Sequence, residues 1–94
     1  MKYSRFEELP AWQAAIELAR EIYGFTKAPH LTASLRDQLQ RAALSISNNI
    51  AEGFERGTTQ ELLTFIYIAR GSAGEVRSML CLLETLLGVG EFQI

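Results

Sequence analysis

Apolar residues in the first third of the chain fall at Leu9, Trp12, Ile16, Ala19 and Tyr23, with Ala15, Leu18, Ile22 and Phe25 in a second line beside them. Spacings of three and four mark one face of an α-helix. Gln13, Glu17, Arg20, Glu21 and Lys27 occupy the opposite face. Pro10 suits the first turn, where its missing N–H is an orphan donor in any case. The pattern predicts a first helix over about residues 10–26. Before it, the mixed and charged stretch Met1 to Glu8 reads as a short extended lead-in whose candidates for burial are Tyr3 and Phe6. After it, Ala28-Pro29-His30 is a break, because the residue before a proline avoids the α region and Pro29 has no N–H to give a following helix.

Thr32 or Ser34 can cap a second helix, Ser34 with Asp37 three positions on as a partial capping box. Leu35, Leu39, Ala42, Ile46, Asn49 or Ile50, and Gly53 or Phe54 then repeat at three and four. This is a heptad-like seam in which alanine and glycine permit a neighbouring helix to come close. The predicted helix covers about residues 34–56, and Gly57 ends it in the left-handed position that carries no Cβ penalty. Thr58-Thr59-Gln60-Glu61 opens a third helix with threonine at the N-cap and glutamate three residues later. With so little chain between them, the second and third helices are antiparallel or sharply crossed neighbours.

The third helix is predicted over about residues 58–87, with Leu62, Phe65, Ile66, Ala69, Ser72, Ala73, Val76, Met79, Leu80, Leu83 and Leu87 along one seam. A second line, Leu63, Tyr67, Ile68, Cys81, Leu82 and Leu86, makes it nearly apolar all round at both ends. Such a helix needs cover on more than one side. Gly88-Val89-Gly90 stops it, with Gly88 at C′ and Val89 making the C″ contact, and Glu91-Phe92-Gln93-Ile94 is too short for another helix. Midway lies Gly71-Ser72-Ala73-Gly74, where each glycine costs ~1 kcal/mol relative to alanine. A kink is one reading and a close helix crossing the other; the apolar seam continuing on both sides favours the crossing.

These elements describe one all-α, oligomer-prone domain over residues 1–94. Ninety-four residues is near the lower end of what a single core supports, and 48% hydrophobic against 21% charged is rich for that size. The composition excludes disorder and favours extra burial against another chain. No apolar run approaches the ~20 residues of a bilayer span and no start resembles a signal peptide, so the expected location is cytoplasmic with no membrane partner. A net charge of −2 does not advertise nucleic acid and leaves a local basic patch as the route to it. The single Cys81, in Met79-Leu80-Cys81-Leu82-Leu83, reads as a core thiol, since Arg77 one turn earlier is no base. His30 lacks a second histidine or a nearby cysteine, so it is assigned no function, and no cofactor or metal is expected.

Polar residues recur inside the apolar framework: Arg41, Ser45, Asn48, Asn49, Glu52 and Arg56 on the second helix, and Arg70, Glu75 and Arg77 on the third. Three readings compete. Ser45, Asn49, Glu52, Glu61 and Glu75 can form a structural polar network within a helical interface, with Glu52 and Arg56 an i,i+4 pair, fixing register and oligomer state. Glu52, Glu61 and Glu75 are also candidate acid–base carboxylates, although no histidine, cysteine or lysine is spaced to complete a nucleophile or metal set. Arg36, Arg41, Arg56, Arg70 and Arg77 can line a groove for phosphates, with interleaved acids against it.

The chain resembles the four-helix bundle proteins that include the ribosomal RNA intervening-sequence proteins and the accessory proteins of diversity-generating retroelements. The likeness runs from Phe6-x-x-Leu9-x-x-Trp12-Gln13 through Leu39-x-Arg41-Ala42-Ala43-x-Ser45-Ile46-x-x-Asn49-Ile50-Ala51-Glu52-Gly53-Phe54 to Glu61-x-x-x-Phe65-x-x-Ile68-Ala69-x-Gly71-Ser72-x-x-Glu75. The resemblance implies an antiparallel up-and-down bundle assembled as a ring-like homopentamer, without enzymatic activity. For the retroelement members it implies binding to RNA or DNA and to a reverse transcriptase. The family continues into a fourth helix beyond the position of Gly88-Val89-Gly90, so the resemblance further implies a fourth helix that is missing here or supplied by another chain. The expectation is a non-enzymatic oligomeric binding or scaffold protein associated with nucleic acid. A purely protein-interaction module is the alternative, and an enzyme using Glu52 or Glu75 is a third class.

Overall fold

The computed structural model describes residues 2–29 and 31–87. A 3-10 turn at Phe6–Glu8 is followed by helices α1 (Pro10–Phe25), α2 (Ala33–Glu55) and α3 (Thr59–Leu87). There is no strand among the described residues, and the fold is all-α as expected. The expected stop at Gly88-Val89-Gly90, the non-helical reading of residues 91–94 and the loop assignment of His30 lie outside the described residues.

Local chemistry accounts for the boundaries. Pro10 opens α1 after an extended Leu9, with no side-chain cap. Thr32, not Ser34, caps α2: the Leu35 amide donates to Thr32 Oγ1 at 3.2 Å. Gly57 has φ 90° and ends α2, its amide donating to the Phe54 carbonyl at 3.2 Å. The Glu61 amide then donates to Thr58 Oγ1 at 3.2 Å while the Thr58 hydroxyl donates to Glu61 Oε1 at 2.8 Å, the expected cap of α3. The lead-in is not simply extended. Ser4 donates from its amide to Glu8 Oε1 at 3.0 Å, and Phe6 sets its ring 5.3 Å from that of Trp12, which curls Phe6–Glu8 into a turn against α1.

Both connections reverse the chain. Along α2 and α3, Gly53 lies against Leu62 and Phe65, and Ser45 meets Ser72 farther back, so the two helices run antiparallel. Thr26 at the end of α1 meets Arg36 and Gln40 near the start of α2, while Ala11 and Ala15 near the start of α1 border one trough with Ile46 and Ile50 farther along α2, so that pair is antiparallel too. Ile22, Leu39, Ala43 and Val76 are fully buried where the helices meet. Burying a side chain the size of Ile22 or Leu39 stabilises by roughly 1.5–3 kcal/mol each. On α1 the buried residues are Ala15 and Ile22 of the second apolar line and Ala19 of the first, so the core stripe runs between the two lines, and Tyr23 of the first line is exposed.

Helices α1 and α3 each pack on α2, and no Cα of one comes within 8 Å of a Cα of the other. Between them runs an open trough of about 500 Å³ walled by Ala14 and Leu18 of α1, Ile66 and Ala69 of α3, with Ile46 and Ile50 of α2 as its floor. Along α3, Leu63, Ile66, Tyr67, Ile68, Leu82 and Leu86 are exposed.

Two expectations need correcting. Cys81 is exposed rather than a core thiol, because the buried stripe of α3 passes through Ala69, Ser72, Val76, Leu80 and Leu83, and Cys81 is turned ~100° from Leu80. Nor is the close crossing at Gly71 or Gly74. A Cβ built at either would meet nothing within 4 Å, whereas one at Gly53 would lie 2.6 Å from Phe65 Cβ. Within the chain the tight approach is therefore at Gly53, beside the turn.

Candidate functional site

The candidate polar residues separate into groups with different surroundings. The innermost joins α2 to α3. Asn49, half-buried one turn after Ser45, donates from Nδ2 to the Ser45 carbonyl at 2.7 Å and to Ser45 Oγ at 2.9 Å. Ser45 Oγ lies 2.8 Å from Ser72 Oγ, and Ser72 is buried. With Asn49 donating to Ser45, the Ser45 hydroxyl proton is free for Ser72, giving a chain of donors across the helix pair. Among the described residues no buried side-chain nitrogen or oxygen lacks a partner. Of the residues expected to form a network, Ser45 and Asn49 are joined here, together with Ser72, and the groups are neutral ones that satisfy one another.

The second group lies at the surface around the Gly57 turn. Arg56 pairs with Glu52 at 3.0 Å and approaches Glu61 at 3.8 Å, and its guanidinium sits 5.0 Å above the Phe65 ring. The side chains of Glu52 and Arg56 are about half exposed, so this is a surface staple between α2 and α3 rather than part of an interior network. Two carboxylates already compensate the Arg56 charge.

A third group was not foreseen. Thr26, 1% exposed, donates to the Tyr23 carbonyl at 3.1 Å and accepts from Gln40 Nε2 at 2.9 Å. Arg36 donates from Nε to the Thr26 carbonyl at 2.9 Å and from an Nη to the Leu31 carbonyl at 3.3 Å. Arg36 is thus a clamp on the loop between α1 and α2, satisfying carbonyls at a helix end. The available signal was the i,i+4 placement of Arg36 and Gln40 on the first turns of α2, facing a loop that must be anchored.

The remaining candidates have no ion pair with a described residue: Arg41, Arg70, Arg77 and Glu75 are exposed and unpartnered. Arg70 and Arg77 stand two turns apart on α3, roughly 10 Å along the axis at ~1.5 Å per residue. They border a shallow groove of about 350 Å³ with Leu18, Ala73 and Gly74. Arg41 and Glu75 lie on the other flank and share a cleft of about 440 Å³ with Ser45, Ser78 and Met79. The five arginines are therefore not one patch. Two are engaged and three are free, and the free ones lie on two sides of α3.

Elsewhere, the Glu7 carboxyl is held below its ordinary value by a hydrogen bond from its own backbone amide and then by Arg5, 3.1 Å away. It is exposed and remote from the α2–α3 groups. Among the described residues no set of three or more histidine, cysteine, aspartate or glutamate side chains converges as metal ligands, and no helix is long and apolar enough to cross a membrane.

Compared with known families, the chain matches over residues 7–92 the family described as 23S rRNA-intervening sequence protein. No curated protein and no solved structure gives a significant match.

Proposed function

Because the chain belongs to the 23S rRNA-intervening sequence protein family, we propose that it is a non-enzymatic helical scaffold that assembles with further copies of itself and contacts RNA through phosphates. The observation that carries this reading is the outward surface of α3, which among the described residues holds six large apolar side chains in solvent alongside two arginines, Arg70 and Arg77, that no described acid neutralises. Apolar surface of that extent marks a site of protein contact. Unpaired guanidinium groups on a helix suit phosphate oxygens, which they engage by paired N–H donors. The family description supports RNA over other anions. The neutral Asn49–Ser45–Ser72 chain and the compensated Arg56 leave those residues a structural role.

The test is a titration of fluorescently labelled RNA, single-stranded and duplex, across a salt series, with the wild type and the Arg70→Ala, Arg77→Ala double variant. Affinity is expected to fall steeply with salt, and the log–log slope to decrease by about 2 in the double variant. Absence of binding at low salt removes RNA as the partner. An unchanged slope moves the contact away from this arginine pair.

A protein-interaction module without nucleic acid is the second reading. Its support is the net charge of −2, with eleven acids interleaved among nine basic residues.

A further inference from the structure

Tyr67 is 69% exposed, more than any other large apolar side chain among the described residues. No ring or cation of those residues lies over its ring, and its hydroxyl has no partner among them. Arg70 follows it by three positions and Arg77 by ten. At ~100° per residue, these three side chains and Gly74 fall within an arc of about 80° on one face of α3. Arg70 is therefore the neighbour of the ring one turn on, and Arg77 stands two turns beyond Arg70. Between the arginines the shallow groove of about 350 Å³ is floored by Ala73 and Gly74, so no long side chain fills it. Ile68, Leu82 and Leu86 lie on the other side of Tyr67, turned ~60–100° from it.

We propose that the RNA taken by this face is single-stranded, with one base stacked on the Tyr67 ring while Arg70 and Arg77 engage phosphates of the adjoining nucleotides. The inference rests on the RNA reading proposed above and names the form of RNA bound. That form is argued from what each kind of RNA can offer. In a duplex the bases are stacked on one another, and the A-form surface presents phosphates and 2′-hydroxyls, for which an arginine pair suffices and an aromatic ring adds little. A single strand presents base faces, and an aromatic side chain with a guanidinium beside it is a platform on which they stack. Every base has such a face, so the contact selects a strand over a duplex without selecting one base over another.

Fluorescence anisotropy with a labelled RNA strand of mixed sequence and about 16 nucleotides, alone and annealed to its complement, tests it on the wild type, Tyr67→Phe, Tyr67→Leu and Tyr67→Ala. The wild type is expected to bind the strand more tightly than the duplex. Tyr67→Phe keeps a ring and is expected to hold that affinity. Tyr67→Leu and Tyr67→Ala are expected to bind the strand about tenfold more weakly. Their duplex affinity and salt slope should stay those of the wild type, because Tyr67 neutralises no phosphate. Equal wild-type affinity for strand and duplex, a Tyr67→Leu protein as tight as the wild type, or a Tyr67→Phe protein as weak as Tyr67→Ala overturns the inference and leaves the arginine contact standing. Absence of binding to either RNA at low salt overturns both. Light scattering on the same variants is expected to return the wild-type mass; a changed mass assigns Tyr67 to protein contact and overturns the inference. Should circular dichroism show that Tyr67→Ala loses helix, Tyr67→Leu carries the test.

Discussion

Substitution of Gly53 by alanine sets two effects of known sign against each other. In an exposed helix, glycine to alanine stabilises by ~1 kcal/mol through backbone entropy. At Gly53 the new methyl would sit 2.6 Å from Phe65 Cβ, 3.2 Å from Leu62 Cα and 3.3 Å from Leu62 Cδ1. Carbon atoms pack best at roughly 3.5–4.0 Å. Two of the three obstructing atoms are a Cα and a Cβ, which no rotamer change can move, so α2 and α3 must shift apart next to the Gly57 turn. Overpacking of that kind costs about 1–3 kcal/mol. The rigid obstruction argues for the upper part of that range, leaving a net loss of about 1–2 kcal/mol after the propensity gain. Gly74→Ala is the control, because a Cβ there meets nothing within 4 Å and the propensity gain of ~1 kcal/mol should appear undiminished. Urea unfolding followed by far-UV circular dichroism, at one protein concentration, reads both. With a slope near ~1 kcal/mol per molar, the Gly53→Ala midpoint should fall by about 1–2 M while that of Gly74→Ala rises. A Gly53→Ala protein as stable as Gly74→Ala would refute the close approach.

Removal of the Asn49 amide deletes two hydrogen bonds to Ser45, and Asn49→Ala should lose about 1–2 kcal/mol in the same urea assay. Glu52→Ala, by contrast, breaks an exposed ion pair and should change stability by less than about 0.5 kcal/mol, an effect that salt diminishes further. Arg36→Ala releases the carbonyls of Thr26 and Leu31 and is expected to cost about 1.5–3 kcal/mol. It should also speed hydrogen exchange in the loop between α1 and α2, read by mass spectrometry; unaltered exchange would argue against the clamp.

The helices were legible because periodicity and capping agree. Pro10, Gly57 and the Thr58–Glu61 pair punctuate the chain within a residue or so of the observed ends. Which of two adjacent apolar lines faces inward was less legible. On α1 the lines through Ile16 and Ile22 differ by a fraction of a turn, and contact with α2 decides for Ala15, Ala19 and Ile22. Cys81 was misread for a similar reason, since a run apolar on every side does not say which side is covered. Ser45, Asn49, Glu52, Arg56 and Glu61 stand out as polar candidates while Ser72 does not, and sequence spacing could not distinguish the part-buried Asn49–Ser45–Ser72 chain from the surface Glu52–Arg56–Glu61 cluster. Burial depends on the neighbouring helix, and the turn at Gly57 carries the latter group to the end of the helix pair. Arg36 was grouped with the other arginines because its partners are backbone carbonyls, which leave no mark in a side-chain pattern.

In the proposed assembly, the apolar surface left open on α3 is covered by other copies of the chain. Multi-angle light scattering on the purified protein, over a micromolar concentration range and with helicity checked by circular dichroism, tests it most directly. The expected mass is at least twice that of the 10.5 kDa chain. A fully helical, monodisperse species of 10.5 kDa throughout that range would contradict it.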